Sequence, residues 1–576
     1  MSRKVQGDNP NYRPNRPRRR KVPKKFNPMS AETESEEASG GEGMSSSAKK
    51  MKATSADIII NVTHCYRIIE FISVFAAISD ISVCKTCKRK QTFGETGSRG
   101  LGFKIAVTCA CGTVVINSGP FINNSFEINR RIVFVMRLLG VARKGINIFC
   151  GMMDLGCELS ERAYDGIIQH IHASLQKIYN DTCHKAVEEE KQYNEKEEQP
   201  LTNLKVSGDG SWKKRGFSSL YGVTTLIGYN TGKVIDLLVK SSYCQICTYY
   251  KNDKDNPEYL EHKEDGHCAV NHSGSSGKME VDAVVEMFLR SEQLHRVRYS
   301  NYIGDGDAKT FKAILDIEPY GHEFKIKKNE CIGHVEKRMG SRLRNIKKSA
   351  KLGGKGKLTD VLIKKLTRYY GLAIRRNSDS VIEMRKAIMA TFYHYTSTNE
   401  KPQHDGCPPG ADSWCKWRVA QALGQEFDHP DPLHEDVQKH IRPIYEDLSR
   451  DDLLERCLGG HTQNANESFN AIVWRLAPKH LNCGKKIIEI AAFLAAGMFN
   501  EGFSFVLQTM QHLNIVIGEQ SKGFADNDDK RRIEQQERRS LDATKEARTF
   551  RQQQKTAQLE QFEEEEGLLY GPGIAD

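Results

Sequence analysis

A mixed fold, part α+β and part α/β, is what this chain predicts, and three observations predict it. Apolar runs of strand length alternate with helical stretches between residues 201 and 330. A long basic, helix-forming tract follows, and two close thiol pairs precede, Cys84-Lys85-Thr86-Cys87 and Cys109-Ala110-Cys111. The whole then reads as a mixed sheet flanked by helices, with a large helical insertion and an N-terminal zinc-ribbon-like module. At 576 residues the chain is longer than one core organises, so several domains are expected. Its longest apolar stretch, residues 68–78, contains Glu70 and is too short to span a bilayer, so no membrane partner is expected. The N-terminus lacks the apolar core of a secretory signal, so the 16 cysteines are expected in a reducing compartment, as thiols or metal ligands.

Residues 1–54 read as a disordered arm. Residues 1–28 carry ten Lys or Arg against Asp8, among prolines, a composition that stays unfolded and suits a nuclear localisation signal; the nucleus is the expected compartment. Residues 55–157 form the zinc- and DNA-binding module, opening with a short strand at 57–62 and a helix from Ile68. In it Cys84, Cys87, Cys109 and Cys111, two thiol pairs 21 residues apart, can close a tetrahedral Zn²⁺ site, although the second pair is one residue tighter than usual. The run from Asn129 to Lys144 reads as one basic amphipathic helix, suited to DNA or to solvent. Residues 158–200 are a helical connector.

In 201–330 the order of elements carries the argument. Leu204–Val206 is a strand that delivers Asp209; 217–229 and 233–241 are a second and third strand around the turn at Asn230-Thr231-Gly232. A helix with Val281, Val284, Val285, Phe288 and Leu289 follows, then a strand 299–303 ending at Asp305, then a helix 309–315. This β-β-β-α-β-α order, with one acid on the first strand and another at the end of the fourth, matches a ribonuclease H-like core. Such cores carry a third acid on a later helix, and Glu467 lies in a helix-compatible segment, 462–474, within a second core portion, 456–520; Asn464, Asn466 and Asn470 around it point to a polar pocket. Three carboxylates of this kind can hold two divalent cations about 3.5–4 Å apart for phosphodiester chemistry. Residues 331–455 are the basic helical insertion and 521–576 a charged helical or disordered tail.

Further side chains have ligand spacing. Cys244, Cys247 and Cys268 with His262 or His267 make a second possible Zn²⁺ set, and His272 lies nearby. Cys331 and His334, three apart, share a helix face and suit either metal ligation or bracing of the acid site. His404, Cys407 and Cys415 form a third group that lacks a fourth ligand, which favours a metal-free loop. Residues 325–357 hold twelve Lys or Arg against Glu330 and Glu336. Lys337, Arg338, Arg342, Arg344, Lys347, Lys348, Lys355 and Lys357 are the candidate contacts to DNA phosphates. Gly353-Gly354-Lys355-Gly356-Lys357 lacks the spacing of a phosphate-binding P-loop, so no nucleotide cofactor is expected.

The strings Ser207-Gly208-Asp209-Gly210-Ser211-Trp212-Lys213-Lys214-Arg215-Gly216, Gly304-Asp305-Gly306-Asp307, Cys331-Ile332-Gly333-His334 and Asn464-Ala465-Asn466-Glu467-Ser468-Phe469-Asn470 resemble those of the Mutator-like transposases, in the branch found in animal genomes. The resemblance implies a DDE enzyme that binds transposon ends and target DNA and performs metal-dependent cleavage and strand transfer. It further implies Mg²⁺ or Mn²⁺ at Asp209, Asp305 and Glu467, a helical insertion before the glutamate, and action as a homo-oligomer. Asp307 competes with Asp305; counting back from Ala313-Ile314, as the family pattern directs, selects Asp305 and leaves Asp307 as a helix cap. The alternative is a host-domesticated, non-enzymatic zinc-containing DNA-binding protein.

Overall fold

A computed structural model describes residues 50–51, 58–123, 125–156, 159–214, 218–266, 268–304, 308–354, 357–411 and 413–542. The basic arm 1–28, Asp305, Asp307, His267, Lys355 and the tail beyond residue 542 lie outside the described residues.

The centre is a five-stranded sheet. Strands β6 (Asn203–Trp212), β7 (Tyr221–Gly228) and β8 (Val234–Ser241) run as an antiparallel meander, while β9 (Arg298–Gly304) and β10 (Lys327–Glu330) add on the other side of β6 in parallel, giving the order β10-β9-β6-β7-β8. Parallel addition needs a crossover. Helix α7 (Ser276–His295) supplies it between β8 and β9, and α8 (Ala308–Ile317) lies between β9 and β10. β7 is buried at every residue, as expected of a strand covered on both faces.

The covers differ. On one face Val284, Met287 and Phe288 of α7 pack with Leu204, Val206, Tyr299 and Tyr302. The other is covered by α4 (Glu161–Lys196), capped by Ser160, and by α15 (Asn464–Leu476), α16 (Lys485–Glu501) and α17 (Ser504–His512), whose apolar residues join Val223, Ile227, Leu237 and Val239 in one core. Residues 332–455 build a second core of their own. Helices α9 (Ile332–Ser349), α10 (Asp360–Arg376), α11 (Val381–Thr396), α13 (Glu435–Asp447) and α14 (Asp451–Glu455) enclose Met339, Leu343, Tyr370, Ile388, Ile441 and Tyr445. Between α11 and α13 lies a shorter helix, α12 (Lys416–Leu423). The insertion is tied to the sheet edge by Glu330 of β10, which is buried and receives Arg338 of α9 at 2.5 Å and Arg456 at 3.6 Å.

Upstream, α1 (Phe71–Ile81) precedes a three-stranded antiparallel sheet of β1 (Thr92–Arg99), β2 (Gly102–Cys109) and β3 (Gly112–Asn117); a two-residue ladder, β4 (Phe121–Ile122) with β5 (Ser125–Phe126), leads into α2 (Glu127–Leu138) and α3 (Arg143–Met152).

Two expectations fail here for physical reasons. Residues 58–62 form no strand, because their backbone meets the loop after α17 instead: Asn61 N–H donates to Ile517 O at 2.8 Å. The basic helix predicted from Asn129 to Lys144 breaks at Gly140, whose φ of +74° suits glycine and whose Cβ would lie 2.9 Å from Arg475 O. The arginines of α2 are not offered to DNA or solvent. Arg137 is buried, Arg130 donates to Leu513 O at 2.5 Å, and Arg131 pairs at 2.7 Å with buried Glu127.

His295, in the last turn of α7, is buried beside His184, and burial, reinforced by that neighbour and Arg290, pushes its pKa down to about 4. The unfolded chain therefore takes up this proton first, so stability is full above pH ~6.5 and falls as pH drops towards ~4, by up to about 3 kcal/mol for this one group. Thermal unfolding of wild type and His295→Gln across that window should show a shallower acid loss in the variant; parallel curves would remove His295 as the cause.

Candidate active site and metal centres

Asp209 sits on the central strand. On β6, alternate residues Ser207, Asp209 and Ser211 face one side, and α15 lies along that side. A step of two residues along a strand advances about 6.7 Å and one of four along a helix about 6 Å, so a helical stripe can follow alternate strand positions. That match is used three times, at Ser207, Asp209 and Ser211, and Gln463 adds a fourth contact ahead of the helix. Gln463 Nε2, just before α15, donates to Gly208 O at 2.6 Å, and Asn466 receives Ser207 Oγ at 2.8 Å while donating to Ser207 O at 3.2 Å. Asn470 Nδ2 donates to Asp209 Oδ2 at 2.7 Å, and Trp474 Nε1 to Ser211 Oγ at 2.7 Å. Gln463, Asn466 and Asn470 are buried, and Asn470 Oδ1 and Gln463 Oε1 have no hydrogen-bond partner.

Glu467 lies on the same stripe, one turn before Asn470, so the helix carrying the third predicted acid is the one bonded to the first. Its side chain is exposed and its Oε1 is 3.9 Å from Lys337 Nζ. The second acid cannot be placed beside them: β9 ends at Gly304, paired next to β6 with Ile303 opposite Ser207, and Asp305 follows outside the described residues. On the opposite face of β6 the neighbours are close. A Cβ at Gly208 would lie 2.5 Å from Tyr302 and one at Gly210 2.7 Å from Glu280 Oε2, a carboxylate that the sequence did not single out.

Cys331 is the N-cap of α9, where its N–H donates to Gly304 O at 3.4 Å, and His334 lies in the first turn. Neither joins the metal-compatible groups among the described residues. Of the basic candidates, Arg338 is held by Glu330, Arg342 pairs with Asp447, Lys347 with Asp360 at 2.9 Å and Lys357 with Asp436 at 3.7 Å. Lys337, Arg344 and Lys348 are exposed along α9.

Three Cys/His groups bring four ligand atoms each within 4.8 Å of one another. The first is Cys84, Cys87, Cys109 and Cys111, two turns facing across the end of the β2–β3 hairpin. There the N–H groups of Cys87 and Thr86 point at Cys84 and pull its thiol down to about 6, the state a metal requires. The second is Cys244, Cys247, His262 and Cys268, where His262 Nε2 lies 3.3 Å from Cys244 Sγ and 3.6 Å from Cys247 Sγ. Cys247 stands on α5 (Gln245–Tyr249) and His262 on α6 (Pro257–Glu264). His272 is used elsewhere, its Nδ1 3.1 Å from Asp282. The third group corrects the expectation that a fourth ligand is missing. His394, on α11, supplies the fourth donor to His404, Cys407 and Cys415, and its place ten residues before His404 in H-x9-H-x2-C-x7-C was the available signal. All three donor sets are compatible with zinc.

The family model described as Mutator-like transposase matches residues 58–415, more than half of the chain. The chain belongs to the Mutator-like transposases. The matched span of this Mutator-like transposase contains β6 with Asp209 and all three Cys/His groups, while α15 and Glu467 lie beyond it. No curated protein matches the chain. No helix among the described residues is long and apolar enough to cross a membrane.

Asn466 is wholly buried and bonded twice to Ser207, so Asn466→Ala should lower unfolding stability by about 1–3 kcal/mol, read as a denaturant midpoint shift at unchanged slope. No shift would mean that the amide contact is not maintained in solution.

Proposed function

We propose that this chain is a DDE transposase that cleaves DNA and joins the freed end to a target. The observation that carries the reading is the 2.7 Å bond from Asn470 to Asp209, which brings the helix of Glu467 onto the strand of Asp209 across 261 residues of sequence. The strand order, a meander followed by two parallel strands beside its first member, supports a ribonuclease H-like core.

Asp209, Asp305 and Glu467 are the residues that would hold Mg²⁺ or Mn²⁺, hard cations that take oxygen ligands. The fit is supported by the carboxylate of Asp209 and by the buried, unpartnered Asn470 Oδ1 beside it. Bound cations would supply positive charge to the reacting phosphodiester oxygens. The chain's own groups do the rest. Asn470 fixes the orientation of Asp209, and Lys337, next to Glu467, is set to meet a phosphate at the mouth of the site, with Arg344 and Lys348 continuing that basic edge along the DNA backbone. The first two cysteine groups hold structural Zn²⁺, and the N-terminal module recognises transposon ends. The arm at 1–28 directs the protein to the nucleus, and two ends handled together call for a homo-oligomer.

Cleavage and strand transfer on terminal-repeat DNA in Mg²⁺ or Mn²⁺ test this. Asp209→Ala, Asp305→Ala and Glu467→Ala should each lower the rate at least about a hundredfold with DNA binding retained. Equal activity in all four proteins would refute the triad, and binding without cleavage by the wild type would favour the domesticated binding protein.

A further inference from the structure

The loop joining α11 to α12 has an arrangement that its backbone alone does not explain. Among the described residues of 397–415 there is no helix or strand, yet His404, Cys407 and Cys415 are almost fully buried in it. Buried polar groups need partners. The polar side chains these three meet are one another, His394 and, at the outer nitrogen of His404, Ser397 and His429.

The distances are those of a coordination shell. His394 Nδ1 and His404 Nδ1 are 3.3 Å apart; Cys415 Sγ lies 3.6 Å and 3.4 Å from them, and Cys407 Sγ 3.9 Å and 3.8 Å. A tetrahedral zinc with bonds of about 2.0–2.1 Å to nitrogen and about 2.3 Å to sulfur has edges of about 3.3 Å between nitrogens and about 3.6 Å between nitrogen and sulfur. The observed edges bracket those values.

The hydrogen bonds behind the ligands fix which nitrogen faces inward. Asn399 Nδ2 donates to Asp428 at 2.6 Å, and its Oδ1 accepts from the His429 N–H at 2.9 Å, so the amide orientation is determined twice. That Oδ1 lies 2.7 Å from His429 Nδ1, which must therefore donate, leaving His429 Nε2 as an acceptor in the neutral ring. His404 Nε2 lies 2.9 Å from both His429 Nε2 and Ser397 Oγ, so the outer nitrogen is engaged by these two and Nδ1 is the one that faces Cys407 and Cys415. This is how a metal-ligating imidazole is held by its outer partners.

We infer that His394, His404, Cys407 and Cys415 form a third metal centre, a closed tetrahedral zinc site that fastens the end of α11 to the start of α12. Two imidazoles and two thiolates make a set selective for zinc among common divalent ions, and all four positions are filled by protein, so the site is structural. It also anchors one wall of a cavity of about 420 Å³ that Cys407, Trp414, Tyr369, Arg376 and Lys386 line within the insertion. The inference does not depend on the chain being an active transposase.

Metal content of the purified full-length protein, measured by mass spectrometry after removal of loose ions, tests it. Three zinc ions per chain are expected, two in C407S/C415S, and two when either of the other groups is disrupted instead. His394→Cys should keep three, and in cobalt-loaded protein it should change the visible absorption towards that of a thiolate-richer site. C407S/C415S protein that is folded by circular dichroism and retains wild-type zinc would overturn the assignment. So would an unaltered cobalt spectrum in His394→Cys, which decides the matter should the double variant fail to fold.

Discussion

A row of amide hydrogen bonds between α15 and β6 is the constraint on which the candidate active site rests. Apolar packing would hold the helix on the sheet but would tolerate sliding, whereas the bonds of Gln463, Asn466, Asn470 and Trp474 are satisfied in one register only. Moving β6 by a single residue would turn Asp209 to the opposite face. That face is closed as well, since Tyr302 and Glu280 leave no room for a Cβ at Gly208 or Gly210. The two glycines flanking the acid are thus a packing requirement, and Asp209 is gripped from both sides.

The Cys/His groups answer a different physical need. β3 is exposed along its whole length, with Val114, Val115 and Ile116 open to solvent, so its sheet buries too little to be held by apolar burial alone. Cross-linking by a metal is the usual remedy in such small units. The segment 244–268 gathers its ligand atoms from two short helices and a turn, and the α11–α12 loop from the end of α11 and irregular backbone.

What was legible in the sequence follows from how local each signal is. The second to fourth strands of the sheet and helices α7 and α8 could be read from their periodicity, because each is an apolar run bounded by turn residues, whereas α5 and α6 carry no such run and the first strand extends past Val206 through the glycines to Trp212. Cys-x-x-Cys pairs are equally local, and two of the three ligand sets were complete on the page. His394 was not, because it is set into a helix as an ordinary polar residue and joins the group only when the loop folds back. The arginines of α2 misled for a related reason: a basic stripe looks the same whether it meets phosphate or the carbonyl oxygens of Leu513 and Val516. Nor could the sequence show that Arg342, Lys347 and Lys357 of the basic tract are paired within the insertion, since no local pattern links them to Asp447, Asp360 and Asp436.

The distance between Asp209 and Asn470 also sets an order of assembly. At a synthesis rate of about 5–20 residues per second, the acid strand leaves the ribosome roughly 13–50 s before its partner helix. The insertion, which has its own core, can form in that interval, whereas one face of the meander β6–β8 stays uncovered until α15 and the helices after it are made. Nascent and truncated chains therefore carry the exposed lysines and arginines of α9 without the helix that completes the site. A chain that ends before α15 therefore has the strand of Asp209 but not the helix whose amides fix it.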